Sequence, residues 1–361
     1  MEYMQNRSFV ESWRDNRYKF FFRRHDHYHG LSAESPLFYN IGEALIQERP
    51  QAFYMIIVRQ TGAADLVSIR QLFQICFGKD MSHSEWRWKY ENSYLGSSSF
   101  LAEDDGKIVA HYGGIKMHFH ANGKMYTACQ GCDVMTHPDY RAKFFSKRGI
   151  LVKIAEAFYD ANPMDFIFGF PSERHGKLMN LQLKFEPHRS TRVLKKESSE
   201  IRRRRNLLLI EHKDWESFSV QKYDRLWSHA KHSFALTIDK DSRYILWRYR
   251  DNPRLKYEIV SFRGILRRDL EAIIIYKIEN DTLFVLDVIM TRDMNPRTAV
   301  SLIDDLAVKR SVKSISVWMN PGEPLSGVFK GYGYREEQDI PYSVRIFQES
   351  EISGSFFMER Y

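Results

Sequence analysis

CDVMTHPDYRAKFFSKRGILVKIAEAFY, running from Cys132 to Tyr159, is the segment around which the rest of the chain is arranged. It begins as a short apolar strand and turns through Pro138-Asp139-Tyr140-Arg141. A basic loop ending in Lys147-Arg148-Gly149 then leads into an amphipathic helix with Ile150, Ile154, Ala157 and Phe158 on one face. A strand, a basic loop and a helix entered by that loop make a phosphate site. Free backbone N–H groups and the positive end of the helix dipole converge where the loop meets the helix, so a pyrophosphate can be held there without a dedicated charge pair.

Outward from this stretch the pattern is regular from Tyr54 onward. YMIIVRQ reads as a strand, and Ala63 to Phe77 as a helix with Leu66, Ile69, Leu72, Phe73 and Cys76 on its apolar stripe. A second helix carries Trp86, Trp88 and Tyr90. Two strands follow, SSSFLAEDD and KIVAHYGGIKMHFH, joined through Asp105-Gly106, a hairpin signal. A turn at Ala121-Asn122-Gly123-Lys124 leads into the opening strand. Beyond the helix come MDFIFGF as a strand, Ser172 to Leu181 as a helix capped by Ser172, and a pair of strands around Phe185 and Val193.

VMTHPDYR, the helix after it, and DFIFGFPSERHGKLMNLQLKFEP together resemble the cofactor-binding core of the GNAT acyltransferases, which use acyl-coenzyme A. The resemblance covers roughly residues 54 to 195 and, more faintly, 215 to 348. It implies an α/β fold with a mixed sheet, in which the backbone of Val134, Met135 and Thr136 holds the pantetheine and thioester. The loop with Arg141, Lys147, Arg148, Gly149 and Ile150 would wrap the pyrophosphate of acetyl-CoA or another acyl-CoA. One departure is visible. The family's usual loop is Arg-Gly-x-Gly-x-Gly/Ala, whereas Arg141 to Gly149 is longer and has a single glycine, so a variant site is expected.

Acyl transfer to an amine needs a polarised thioester carbonyl, a base for the ammonium and an acid for the leaving thiolate. The resemblance puts the acid on a tyrosine five residues before the aromatic of a closing Gly-Phe pair. With Phe185 as that aromatic, the position holds Asn180, and Lys184 stands where glycine would; the corresponding residue of the second half, counted from Tyr334, is Phe329. His175 is the substitute, since an imidazole near its ordinary pKa suits proton transfer at neutral pH. Asp133, beside the reactive segment, is a candidate base or orienter of the ammonium, although its counterpart Asp287 argues for a structural role. His137 before Pro138 is read as shaping the turn.

The second half repeats the first in weakened form. Trp88-Lys89-Tyr90-Glu91-Asn92 is matched by Trp247-Arg248-Tyr249-Arg250-Asp251-Asn252, Asp133-Val134-Met135-Thr136 by Asp287-Val288-Ile289-Met290-Thr291, and Phe168-Gly169-Phe170-Pro171 by Trp318-Met319-Asn320-Pro321. Ordered self-similarity points to duplication. After Thr291 the chain lacks the glycine and the basic residues a pyrophosphate needs. The expected organisation is an N-terminal extension over residues 1–50, a GNAT domain binding acyl-CoA over 51–195, a basic connector over 196–213 and a degenerate GNAT-like domain over 214–361.

The chain has 361 residues, 43% of them hydrophobic and 28% charged, which suits two globular domains. No apolar run approaches the ~20 residues of a membrane span, and a cytoplasmic location is expected. Cys76, Cys129 and Cys132 are too few for a disulfide framework. Cys129 and Cys132, three apart in a strand, should face opposite ways and share no metal. His25, His27 and His29 alternate on one face of an extended segment without the partners a metal site needs. The net charge is +8, and Lys184 to Lys213 holds ten Lys/Arg against four Glu. Arg202 to Arg205 has no interleaved aromatics, so a solvated connector is expected rather than a nucleic-acid site.

These readings lead to an acyltransferase, an N-acetyltransferase by type, moving an acyl group directly to a small-molecule or protein amine, with an acyl carrier protein as a possible donor. Two alternatives stand beside it: a catalytically inactive acyl-CoA-binding regulator, and a tRNA-dependent aminoacyl transferase of related two-lobed fold.

Overall fold

The computed structural model describes residues 56–143, 149–201, 208–265, 269–319 and 324–347. The N-terminal extension with His25, His27 and His29, the arginines at 202–205, and Lys147 and Arg148 lie outside the described residues.

The chain opens with β1 (Ile57–Gln60), a turn of 3-10 helix and α1 (Leu66–Phe77). Ile69, Leu72, Phe73 and Cys76 are buried on one stripe of α1, and Gly78, in the left-handed region, ends it. The short helix α2 (His83–Trp86), capped by Ser82, runs straight into a π-helical turn, Arg87–Glu91. Next come β2 (Ser97–Asp104), β3 (Lys107–Ala121) and β4 (Lys124–Thr136), an antiparallel meander turned at Asp105-Gly106 and Asn122-Gly123; all four turn residues have positive φ. Then follow α3 (Ile150–Ala161), β5 (Phe166–Gly169), α4 (Glu173–Leu183) and β6 (Glu186–Glu197).

The order recurs in the second half. It runs β7 (Leu208–His212), α5 (Val220–Ala230), β8 (Leu236–Ile238) and α6 (Ser242–Ile245), the last again continued by a π-helical turn, Leu246–Arg250. β9 (Glu258–Gly264), β10 (Leu270–Glu279), β11 (Thr282–Met290), α7 (Pro296–Lys309), β12 (Ser314–Met319), α8 (Pro324–Gly331) and β13 (Arg335–Ile346) complete it.

All the strands among the described residues belong to one 13-stranded sheet in the order β1-β2-β3-β4-β5-β13-β6-β12-β11-β10-β9-β7, with β8 on the end of β3. The sequence led us to expect a pair of strands around Phe185 and Val193; the chain forms one long strand there, β6, and its neighbour is β13 from the other end of the chain. The halves therefore exchange closing strands. β13 pairs with β5 of the first half, Ser343 opposite Gly169, and β6 pairs with β12 of the second, Lys196 opposite Ile315. Such long-range pairings leave no local signal in a sequence.

The exchange carries buried charge with it. Lys196, expected to open the basic connector, lies inside β6, buried, with its ammonium 2.7 Å from Asp304 of α7, whose other oxygen accepts from the Tyr334 hydroxyl at 2.9 Å. On β13, Arg345 stacks its guanidinium 4.6 Å from the centroid of Tyr159 and donates to the Leu183 carbonyl. Between the halves, Trp88 and Trp247 stack with centroids 5.0 Å apart, and each indole N–H donates to the other's backbone carbonyl, at 2.7 and 3.0 Å. One aromatic core containing both tryptophans, Tyr223, Tyr249, Phe166 and Ile275 spans the two halves.

Candidate functional site

β4 and β5 run parallel and pair only over Ala128–Gln130 and Phe166–Phe168. β5 then ends at Gly169, while β4 continues to Thr136. The two strands part, leaving the β4 segment that contains Val134, Met135 and Thr136 without a neighbour on that side. β11 and β12 part in the same way after Val285 and Val317.

β4 is bulged where it parts. His111 of β3 lies opposite Met135, but Gly113 lies opposite Cys132, so Asp133 and Val134 together face Tyr112. Asp133 is left-handed, with φ +47°, one of the conformations by which a strand takes in an extra residue. The bulge resets the alternation of side chains. Cys129 and Val134 join the core under α3, and Met135 joins the core under α1. Cys132 packs in the shared core, away from Cys129, as their spacing predicts. Burial raises both thiols, Cys129 to about 12.

Three side chains hold the bulge. The Lys89 ammonium lies 3.2 Å from Oδ1 of Asp133 and 3.1 Å from Glu85, and the Tyr90 hydroxyl donates to Oδ2 at 2.8 Å. His111, fully buried, donates from Nδ1 to the Asp133 backbone carbonyl at 2.8 Å. Burial alone would lower the Lys89 pKa, but the Asp133 and Glu85 carboxylates outweigh it and raise it. Burial lowers His111 more than its contact with Asp133 raises it, so the ring is neutral. Gly113 makes the arrangement possible: a Cβ there would stand 2.1 Å from the Tyr90 hydroxyl oxygen. From the sequence, Tyr90 reads as core packing on its helix and Lys89 as part of a repeat, and His111 has no role assigned. The available signal was Gly113-Gly114 inside a strand, which marks a close approach.

At the end of β4, the Thr136 hydroxyl is buried with no hydrogen-bond partner among the described residues, while its carbonyl accepts from Arg141 Nε at 3.0 Å and from the Cys76 thiol at 3.3 Å. His137 shapes the turn as expected, its Nδ1 accepting from the Asp139 N–H at 3.3 Å. Gly149 is the N-cap of α3, extended at φ −61° and ψ 150°, and among the described residues no side chain caps the helix. Gly149 accepts from Val152 and Lys153, which leaves the N–H groups of Ile150 and Leu151 outside the helix's own bonding. A parted strand end, an unpartnered buried hydroxyl and an uncapped helix start suit a ligand with a polar chain and an anionic end.

Of the sequence-predicted residues, Val134, Met135, Thr136, Arg141, Gly149 and Ile150 line this end of β4 and the start of α3. Asp133 is there too, but its carboxylate is buried in the ion pair with Lys89. His175 lies on α4, half-buried, and burial lowers it to about 4, so the expectation of an ordinary imidazole does not hold. Asn180, at the family's acid position, is exposed, and Phe329 is buried. Among the described residues no group of three or more His, Cys, Asp or Glu could hold a metal, and no helix is long and apolar enough to cross a membrane.

Residues 57–176 match the family model for the acetyltransferase (GNAT) domain. No curated protein matches the chain. Among solved structures, it is similar to a conserved protein of unknown function from Enterococcus faecalis V583 described as a probable N-acyltransferase, with 13% identity and a TM-score of 0.66 over 81% of this chain and 72% of that one. A GCN5-related N-acetyltransferase from Anabaena variabilis ATCC 29413 gives 12% identity and a TM-score of 0.60 over 81% and 72%. Eis1 from Mycobacterium abscessus gives 13% and 0.55 over 81% and 73%. At these identities the likeness is one of fold.

Proposed function

We propose that this chain, a member of the GNAT superfamily through residues 57–176, transfers an acyl group from acetyl-CoA or another acyl-CoA to an amine. The observation that carries the reading is the bulged, parted end of β4 leading into the uncapped start of α3. In this reading the backbone of Val134 to Thr136 holds the pantetheine and thioester, and the N–H groups at Gly149 to Leu151, with Lys147 and Arg148, hold the pyrophosphate. The amine gives up a proton and forms a bond to the carbonyl carbon; the carbon–sulfur bond breaks and the thiolate takes up a proton. His175 is the proposed proton carrier; neutral at pH 7, it would take a proton from the amine before giving one to the thiolate.

We read the chain as a duplicated fold whose second half serves the first. α7 opens with Asn295 capping its own helix, its side chain accepting from the Arg297 N–H, so that helix start is already occupied. A regulatory protein that binds acyl-CoA without turning it over is the second reading, favoured by Asn180 and Phe329 at the acid positions. Incubation with acetyl-CoA and a panel of primary amines, with free thiol and acylated product both measured, separates the two. Product formation supports the enzyme. Binding of acetyl-CoA with no product from any amine favours the regulator.

A further inference from the structure

We propose that Lys89, Tyr90 and His111 are positioning residues that lock the β4 bulge at Asp133 and so aim the backbone of Val134 at the reacting carbonyl. The inference rests on the acyl-transfer reading. Asp133 is held at both ends, its carboxylate by Lys89 at 3.2 Å and Tyr90 at 2.8 Å, its carbonyl by His111 at 2.8 Å. A left-handed non-glycine residue is strained and persists only where its surroundings over-determine it. Here they do, from two elements, the π-helical turn after α2 and strand β3.

The second half supplies an internal control. β11 is also bulged, with Ile275 opposite Asp287 and Tyr276 opposite Val285, and the Asp287 carboxylate is likewise bonded, to Lys240 and to the Tyr249 hydroxyl at 2.7 Å. Asp287 is not left-handed, and the residue paired with Ile289, where His111 pairs with Met135, is the apolar Ile273. The carboxylate clamp is thus common to both halves, and the difference between them lies in the backbone at the bulge. Among the described residues, the tether on the carbonyl and the left-handed residue at the bulge occur only in the half whose β4 leads into the uncapped helix. There, turning one peptide changes where the next N–H points, and a backbone donor in acyl transfer works only when aimed at the charge that develops on oxygen.

The test uses the full chain and acetyl-CoA, with free thiol release measured over an amine panel and CoA affinity measured by calorimetry. His111→Leu removes the carbonyl tether, and Lys89→Met with Asp133→Asn and Glu85→Gln removes the ion pairs without stranding a buried charge. Both should lower kcat about 10- to 100-fold, leave CoA affinity within about twofold and leave the melting transition cooperative. Lys89→Arg should recover part of the loss. Folded variants with parental kcat, or variants that lose CoA affinity and kcat together, overturn the positioning role while the parent's turnover upholds acyl transfer. A parent that neither binds CoA nor releases thiol overturns both.

Discussion

At the scale of single residues, the site depends on backbone that side chains hold in place. Gly149 has φ −61°, open to any residue, so its value lies in its lack of bulk beside the first N–H groups of α3. Gly149→Val should weaken CoA binding by obstructing close approach, while Lys147→Ala should cost less, and more at low salt than at high; calorimetric titration of both variants checks this. His175 makes a second prediction. Burial holds its imidazole at about 4, so it is neutral at pH 7, and any limb it contributes to the kcat profile belongs near pH 4. His175→Gln should remove that limb; a limb nearer 6.5 that survives the substitution takes His175 out of the chemistry. The residues themselves were legible, but their states were not. Neither the depressed pKa of His175 nor the burial of Asp133 against Lys89 can be read from a chain, because both depend on what packs around them.

At the scale of elements, the sequence told most about the local pieces. The stripe of α1, the two glycine turns of the meander and the helix from Ile150 follow from periodicity and turn chemistry, and each formed where expected. The closing strands did not, because β6 and β13 find their partners about 150 residues away in the chain. The buried Lys196–Asp304 pair holds that exchange, since the lysine is on β6 and the aspartate on α7. Burial pushes the Asp304 carboxyl up more than Lys196 and Tyr334 draw it down, so the pair is balanced against its own desolvation. Lys196→Met strands the carboxylate and should destabilise the chain by about 3–5 kcal/mol in urea unfolding. Lys196→Met with Asp304→Leu should recover much of that; equal losses from the single and double variants would show that the pair does not hold the strands.

At the scale of the whole molecule, one sheet and one shared aromatic core make the two halves a single folding unit. Four histidines report on it. Burial is the largest influence on His111, His120, His137 and His175, and lowers all four below their ordinary value. Between those lowered values and about 6.5 the unfolded chain binds more protons than the folded one, so stability rises with pH across that window and is lost as pH falls through it. Melting temperature should be level above about pH 7 and drop steadily from about pH 6.5 toward 4; a flat profile over that range would mean the four rings are solvated. The second half also touches the candidate site of the first. Its β13 completes the sheet beside β5, and its Arg345 packs on Tyr159 of α3, the helix proposed to receive the pyrophosphate.

One half of this molecule, and only that half, is proposed to bind an acyl-CoA at the parted end of β4. Isothermal titration of the full chain with CoA measures it directly. A single equivalent per chain is expected, lost or strongly weakened in Gly149→Val. Two equivalents, or none, would contradict it.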